Sequence, residues 1–114
     1  MNITWEEFRK VEIRVGTIVE INDFPEAYNP AYKLKVDLGK EIGVKNSSAQ
    51  ITDLYKKEDL INKKVIVVVN LEPKQIGPFI SECLIAGFYR EDMTVVLATP
   101  DKNVPNGSLL SWIW

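Results

Sequence analysis

Apolar and polar residues alternate along several stretches of the chain, and a period of two is the pattern of half-buried β-strands. The most regular stretch is residues 32–38 (YKLKVDL), where tyrosine, leucine and valine occupy one face and lysine and aspartate the other. In residues 11–21 most of the apolar positions are odd-numbered, and Gly16 within that stretch predicts a bulge or a sharp bend. The β-branched run at residues 65–69 predicts a strand buried on both faces.

Two short helices are predicted between or before these strands. Thr4 and Glu7 form the T-x-x-E pattern of a helix-capping box, which predicts a helix over about residues 5–9. Residues 48–62 lose the period of two, and the spacing of their leucine and tyrosine residues indicates one or two helical turns.

Glycine and proline mark the connections between the elements. Residues 22–31 and 72–80 each contain two prolines and predict loops. The Gly-Lys-Glu sequence at residues 39–41 is expected to turn the chain, so that residues 42–47 return as the next strand of a hairpin. Two further strands are predicted at residues 82–89 and 94–98.

The order of the elements favours one fold class. Three strands, a short helix and two more strands fit a five-stranded OB-fold barrel, in an all-β domain that spans residues 1–114. This barrel would carry a short N-terminal helix, a helix between strands 3 and 4, and a C-terminal extension. A β-sandwich is the main structural alternative, but it has no use for the helix between the strands.

Composition argues against catalysis. The chain has 46% hydrophobic and 26% charged residues, which is ordinary for a globular domain. It contains no histidine and one cysteine, Cys83, so a reactive thiolate would lack the usual base and no disulfide can form within the chain. We expect Cys83 to be buried and inert, and the protein to be no enzyme and to need no cofactor or metal. An enzyme that uses scattered carboxylates or lysines is the weaker alternative.

Charge is distributed unevenly around a net value of −2. Residues 31–74 contain nine lysines and six acidic residues, a net charge of +3, whereas the rest of the chain is net acidic. A basic middle can present one attractive face to a polyanion. The sequence shows neither a signal-peptide pattern nor an apolar run long enough to span a membrane, so we expect a cytoplasmic protein.

Three segments resemble the tRNA-binding domain family. Residues 11–18 (VEIRVGTI) look like the family's opening strand, and residues 32–39 (YKLKVDLG) look like its second strand and turn. Residues 69–77 (VNLEPKQIG), followed by residues 81–84 (SECL), resemble its most characteristic stretch. Related domains occur in some methionyl-tRNA synthetases, in phenylalanyl-tRNA synthetase β chains, in the endothelial monocyte-activating polypeptide group and as free-standing proteins.

Within that family, residues 47–52 (SSAQIT) are closest to the free-standing CsaA-like branch, whose members are described as homodimeric, secretion-related chaperones. The chain departs from the family at Glu12, where aspartate is usual, and after Lys74, where the loop is usually richer in arginine and glycine.

The resemblance implies an RNA-binding face. Lysines would contact phosphates, while serine hydroxyls and an asparagine amide would bind other polar groups; a glutamate would orient a lysine or a backbone amide. Each residue has a plainer alternative as solvated surface or as a partner of loop backbone. Because the strands carry no aromatic cluster, we expect recognition of tRNA by shape and backbone rather than by extensive stacking. The predicted RNA-binding residues are Lys33, Lys35, Lys45, Ser48, Asn70, Lys74, Ser81 and Glu82.

The apolar ends of the chain suggest a dimer. The tail either closes the barrel's own core or forms a patch that a second subunit covers, and we favour a two-fold homodimer. The predicted function is tRNA binding. The alternative is chaperone-like binding of unfolded or exported polypeptides in an apolar groove near Phe79 and Ile80. The predicted dimer-interface residues are Trp5, Phe8, Leu110, Trp112 and Trp114.

Overall fold

A computed structural model describes residues 1–111 as three short helices and nine strands. The helices are α1 (Trp5–Arg9), α2 (Gly39–Ile42) and α3 (Lys57–Leu60). The strands are β1 (Ile13–Asp23), β2 (Tyr32–Asp37), β3 (Val44–Ala49), β4 (Lys64–Val68), β5 (Lys74–Ile76), β6 (Phe79–Ser81), β7 (Leu84–Ile85), β8 (Gly87–Tyr89) and β9 (Val95–Leu97).

Five of these strands form the predicted OB-type barrel. They lie in the antiparallel order β3-β2-β1-β4-β7, and β5–β6 and β8–β9 form two small hairpins. The barrel is nearly closed where the chain before β7 meets β3: the Glu82 N–H donates to the Asn46 carbonyl at 2.8 Å, and the Ser47 hydroxyl donates to the Cys83 carbonyl at 2.9 Å. The fully buried core comprises Ile18, Leu34, Val36, Leu38, Leu60, Val65 and Val67.

The predicted elements occur with shifted boundaries. The capping box of α1 is formed as expected, because the Glu7 N–H donates to the Thr4 hydroxyl at 3.2 Å and the Thr4 N–H donates to the Glu7 carboxylate at 3.0 Å. The expected turn at residues 39–41 is the one-turn helix α2, and the expected helix between strands 3 and 4 is α3. In β4 only alternate residues are fully buried, so burial on both faces was an overestimate.

The bulge in β1 lies at a different residue from the one predicted. The register shifts between Ile18 and Glu20, so Val19 and Glu20 are both exposed. The inward-facing apolar residues are therefore Val15, Ile18 and Ile21, at odd, even and odd positions in turn. Gly16 instead allows close strand contact: a Cβ there would lie 2.5 Å from the Val36 side chain. Close packing between β1 and β2 therefore explains the glycine, and the bulge lies a few residues further along β1.

The prediction of a loop over residues 72–80 was wrong. This segment forms the β5–β6 hairpin, with Lys74 opposite Ser81 and Ile76 opposite Phe79. Gly77 has a φ of +57°, and with the following proline it makes the turn between the two strands. Strands of three residues are too short for their periodicity to be visible in the sequence.

The C-terminal extension lies along the first half of β1. The Leu110 N–H donates to the Ile13 carbonyl and the Gly107 N–H donates to the Val15 carbonyl, each at 2.7 Å. A polar cluster holds this segment on the barrel, because the Asn106 side-chain oxygen accepts from Thr17 at 2.7 Å and from Lys64 at 2.8 Å.

Candidate nucleic-acid interface

Lys33 and Lys35 lie side by side on the outer face of the barrel. They alternate along β2 with the buried residues Leu34 and Val36, so their side chains point away from the core. Lys35 donates to the Asn46 side-chain oxygen at 3.3 Å, and the Lys33 ammonium lies 5.6 Å from the centre of the Phe24 ring. An aromatic face attracts a cation without neutralising it, so Lys33 keeps its charge for a further ligand.

The predicted lysines lack acidic partners in the part of the chain that the structure describes. Within residues 1–111, no carboxylate oxygen lies within 4.0 Å of the ammonium of Lys33, Lys35, Lys45 or Lys74. Lys57, by contrast, contacts Asp23 at 2.8 Å. The unpaired lysines are therefore able to bind an external anion without first breaking an ion pair.

The structure divides the predicted lysines among three surroundings. Lys45 lies opposite Val36 in the β2–β3 register, on the other side of the sheet from Lys33 and Lys35. Lys74 lies in the β5–β6 hairpin and lines a separate cleft. Only two of the four lysines therefore share one face. Lys45 pairs with Val36, and adjacent positions along a strand point in opposite directions, so Lys45 lies on the side away from Lys35.

Ser81 and Glu82 fasten the end of the β5–β6 hairpin to β3. The Glu82 carboxylate accepts the Asn46 N–H at 2.9 Å, and the Ser81 hydroxyl accepts the Ser48 N–H at 3.4 Å and donates to the Cys83 carbonyl at 3.2 Å. These bonds satisfy the edge of β3 where it would otherwise lack a strand partner. Ser48 lies opposite Lys33 in the register, so the hairpin and the lysine face share a border.

Asn70 is placed far from the lysine face. Its side-chain amide donates to the Lys10 carbonyl at 2.6 Å, and its side-chain oxygen accepts the Glu12 N–H at 2.9 Å. Both contacts lie before the start of β1, whereas the lysines face the end of β1. The amide thus holds the segment between α1 and β1 against the end of β4.

A small pocket of about 200 Å³ opens on the outer face beside the two lysines. Phe79 lines it, and the Phe79 ring packs edge-on against Phe24, with ring centres 5.4 Å apart. This contact connects the β1–β2 loop with the β5–β6 hairpin next to the lysines. The polar residues that line the pocket are Glu20, Asn22, Lys33, Lys35 and Asn46.

Sequence reasoning missed Glu20, Asn22 and Asn46 as neighbours of the lysines. Glu20 and Asn22 lie opposite Lys35 and Lys33 in the β1–β2 register. The bulge before Glu20 determines which residues of β1 face the lysines, and the alternation of the flanking residues does not reveal it. Asn46 lies within the strand that was predicted to pair with β2. Its place opposite Lys35 in that hairpin could have identified it as a neighbour of the lysines.

A larger, open cleft of about 850 Å³ lies between β3, the β5–β6 hairpin and the β7–β9 segment. Phe79 and Ile80, which the sequence suggested for an apolar groove, do not line it. The polar and charged residues that line it are Ser48, Gln50, Glu72, Lys74 and Ser81. Most of the wall is apolar, and its larger members include Leu71, Ile76, Leu84, Tyr89, Val95 and Leu97.

Cys83 forms part of the cleft wall but is almost completely buried. Burial raises the pKa of its thiol from 9.0 to about 11, and a hydrogen bond with Ser47 offsets part of that effect. The thiol is therefore protonated at neutral pH, which makes it a poor nucleophile.

The predicted dimer residues are described only in part. Trp5 and Phe8 pack edge-to-face in α1 with ring centres 5.9 Å apart. Leu109 and Leu110 are 55% and 50% exposed, so this segment leaves apolar surface open to solvent. Trp112 and Trp114 lie outside the described residues.

Comparison with known proteins places this geometry in a family. Residues 13–109 match the family model described as "Putative tRNA binding domain". The chain is 41% identical over 106 residues to a methionine–tRNA ligase from Pyrococcus horikoshii, covering 93% of this chain and 14% of that protein. A methionine–tRNA ligase from Leptospira biflexa is 42% identical over 108 residues, covering 95% and 15% respectively. The chain thus spans about one seventh of the length of these relatives.

Two solved structures align with this chain over nearly its whole length and over the whole of their own. The CsaA chaperone protein from Picrophilus torridus is 55% identical, with a TM-score of 0.91 over 96% of this chain and 100% of that one. Chaperone CsaA from Bacillus anthracis is 41% identical, with a TM-score of 0.91 over 97% and 100%. In residues 1–111 no helix is long and apolar enough to cross a membrane. From the match over residues 13–109, the chain belongs to the tRNA-binding domain family.

Proposed function

We propose that this protein binds tRNA as a homodimer, with Lys33 and Lys35 contacting phosphates on the outer face of the barrel. The observation that carries the proposal is that these two lysines project from one face of an OB-type barrel and have no acidic partner among the described residues. The family to which the chain belongs supports RNA as the ligand. Recognition would rely on the shape and backbone of tRNA.

The proposal explains how a net-acidic protein can bind a polyanion. Each lysine that contacts a phosphate releases a condensed counterion, so binding depends on local charge and on salt rather than on the net charge of −2. A dimer would present two lysine faces and raise the apparent affinity through simultaneous contacts. We place this binding in the cytoplasm and assign the protein no catalytic role.

A salt series on folded tRNA tests this proposal. The double variant Lys33→Ala/Lys35→Ala should lower the affinity about tenfold or more and flatten the dependence of log Kd on log salt by about 1.5, because two phosphate contacts are lost. Lys102→Ala removes the same type of charge from an exposed position outside this face and is the matched control. Equal affinities for the double variant and the control would refute the assignment of the lysine face.

The homodimer is proposed to form through the apolar ends of the described chain. Leu109 and Leu110 are about half exposed, and Leu110 is bonded to Ile13, which follows α1 closely. These residues place apolar surface from both ends of the chain in one region. Leu110→Asp should convert a dimer into a monomer in sedimentation equilibrium, whereas Leu54→Asp, at an exposed leucine elsewhere, should leave the mass unchanged.

Binding of extended apolar polypeptide in the larger cleft is a second candidate function. The specific observation is the cleft of about 850 Å³ with mainly apolar walls, and two structural neighbours bear the name CsaA chaperone. Apolar sites with a few polar groups suit ligands of this chemistry. Leu84→Gln should weaken suppression of client aggregation measured by light scattering. Phe88→Gln, at an exposed residue that does not line the cleft, should not.

A further inference from the structure

Glu20 is not explained by binding to phosphates alone. It lies opposite Lys35 in the β1–β2 register, on the same face as both lysines. A carboxylate at this position repels the phosphates that the lysines would attract. Its presence in the small pocket therefore indicates a second requirement at this face.

Glu20 and Lys35 are neighbours that do not neutralise each other. Glu20 and Lys35 form no ion pair with each other in the described residues 1–111. The Glu20 carboxylate accepts from the Asn22 side-chain amide at 3.1 Å, while Lys35 donates to the Asn46 side-chain oxygen at 3.3 Å. The two asparagines thus hold an anionic acceptor and a cationic donor next to each other at the same opening.

The pocket has the size and composition of a site for one flat base. Its volume of about 200 Å³ is smaller than the ~300–1000 Å³ of sites for drug-sized ligands. The Phe79 ring provides an apolar side, and unpaired RNA bases are commonly recognised by aromatic contact together with hydrogen bonds to their edges. Lys33, in the next position along the same face, remains available for a neighbouring phosphate.

Guanine is the base whose edge best complements this pair of charges. Its Watson–Crick edge carries two adjacent N–H donors, at N1 and N2, beside the O6 acceptor. A carboxylate can accept both N–H groups while an ammonium donates to O6. Adenine and cytosine present a ring nitrogen acceptor where guanine presents N1–H, so a carboxylate there would face a lone pair.

We propose that this pocket binds one unpaired guanine of the RNA ligand, with Glu20 accepting from N1–H and N2–H and Phe79 packing against the base. The Lys35 ammonium has three N–H donors, so it donates one to O6 and keeps another for its phosphate contact. The inference rests on the proposed RNA-binding function and adds base selectivity to it. It assigns Glu20 a recognition role at a face that otherwise serves only to attract phosphate.

Fluorescence anisotropy with three labelled RNA pentamers, AAGAA, AAIAA and AAAAA, tests the inference. The guanine pentamer should bind about tenfold more tightly than the adenine pentamer, as expected for a two-bond contact with a base edge. Inosine lacks the N2 amino group, so its pentamer should have an intermediate affinity. Folded tRNA is measured alongside to report on RNA binding as such.

The variant Glu20→Gln separates base recognition from charge repulsion. It should abolish the preference for guanine and leave the adenine pentamer bound equally or more tightly, since one negative charge is removed. Glu91→Gln, at an exposed residue in the β8–β9 turn, removes a carboxylate elsewhere and should keep the preference. Thermal melting monitored by circular dichroism verifies that both variants are folded.

Several outcomes overturn the inference without touching the proposed function. One is equal binding of the three pentamers, and another is uniform tightening of all three by Glu20→Gln. Binding of tRNA without binding of any pentamer would also exclude a site for an unpaired base. If neither tRNA nor a pentamer binds, the proposed RNA-binding function itself fails.

Discussion

The lysine face and the apolar cleft are built on the same barrel but differ in what holds them in place. The lysine face lies on the longer strands β1, β2 and β3, where each side chain is positioned by the cross-strand register and by the bulge before Glu20. The cleft lies between β3 and short strands of two or three residues, and its hairpin is held because Glu82 and Ser81 accept hydrogen bonds from the backbone of β3. The first surface is therefore set by the pairing of long strands, and the second mainly by individual side-chain contacts.

The largest expected effect is on the stability of the barrel, on which both surfaces are built. In Gly16→Val the new side chain would overlap Val36 and Leu38, because even a Cβ lies 2.5 Å and 2.9 Å from their nearest atoms. We expect a loss of about 3 kcal/mol or more in the free energy of unfolding, measured by urea denaturation. Gly43→Ala, where a Cβ meets nothing within 4 Å but φ is +84°, should cost less. A larger loss at Gly43 would contradict this account of close strand packing.

A pH series on stability sharpens the description of the cleft wall. The pKa of Cys83 is raised to about 11, so an unfolded chain releases the thiol proton at a lower pH than the folded chain does. Stability should therefore be fully present below about pH 9 and fall as the pH rises towards 11, by an amount on the order of 2 kcal/mol. Chemical denaturation across this range should give a shallower fall for Cys83→Ala. The same slope in both proteins would mean that the thiol is not desolvated.

Measuring two variants in both the tRNA-binding and the aggregation assay tests whether the two surfaces act separately. Lys35→Ala should weaken tRNA binding about fivefold, by loss of a phosphate contact, and leave suppression of client aggregation unchanged. Leu84→Gln should have the converse effect, because Leu84 lines only the cleft. Loss of both activities in either folded variant would indicate one continuous site.

The smallest expected effect concerns the hairpin that borders both surfaces. Phe79→Leu keeps an apolar side chain but removes the edge-on contact with Phe24, which should cost about 1 kcal/mol in thermal or urea unfolding. Ile80→Ala, at the exposed neighbouring position, should change stability by less than about 0.5 kcal/mol. An equal cost at the two positions would argue against a bracing role for the aromatic pair.

The regions that could be predicted from the sequence are those in which structure is local. The alternation in residues 32–38 predicted β2 and put Lys33 and Lys35 on one face, because side chains alternate strictly along an unbroken strand. The bulge at Val19 breaks that rule in β1, so the approach of Glu20 and Asn22 to the lysines was not visible. A bulge depends on how the neighbouring strands twist and pair rather than on the residue types flanking it.

Other parts of the candidate site depended on contacts between distant segments. Asn70 forms hydrogen bonds with the backbone of residues 10 and 12, which lie about 60 positions earlier in the chain. These bonds hold its amide away from the lysine face. The β5–β6 hairpin has a glycine and a proline at its turn, as a loop does, but its pairing brings Lys74 into the cleft wall. In both cases the tertiary partner of the segment was unknown, and for residues 72–80 the composition indicated a loop where a hairpin forms.

The position of the C-terminal extension has a consequence for the order of folding. Arg14 donates to the carbonyl of Gly107, 93 positions further along the chain, at 2.9 Å. Pairing over such a distance raises the contact order, which slows folding, because loop entropy is lost before the contact stabilises anything. During synthesis, the first half of β1 would expose an unpaired strand edge until residues 107–110 emerge from the ribosome. That interval is when the nascent chain would be most open to aberrant strand pairing.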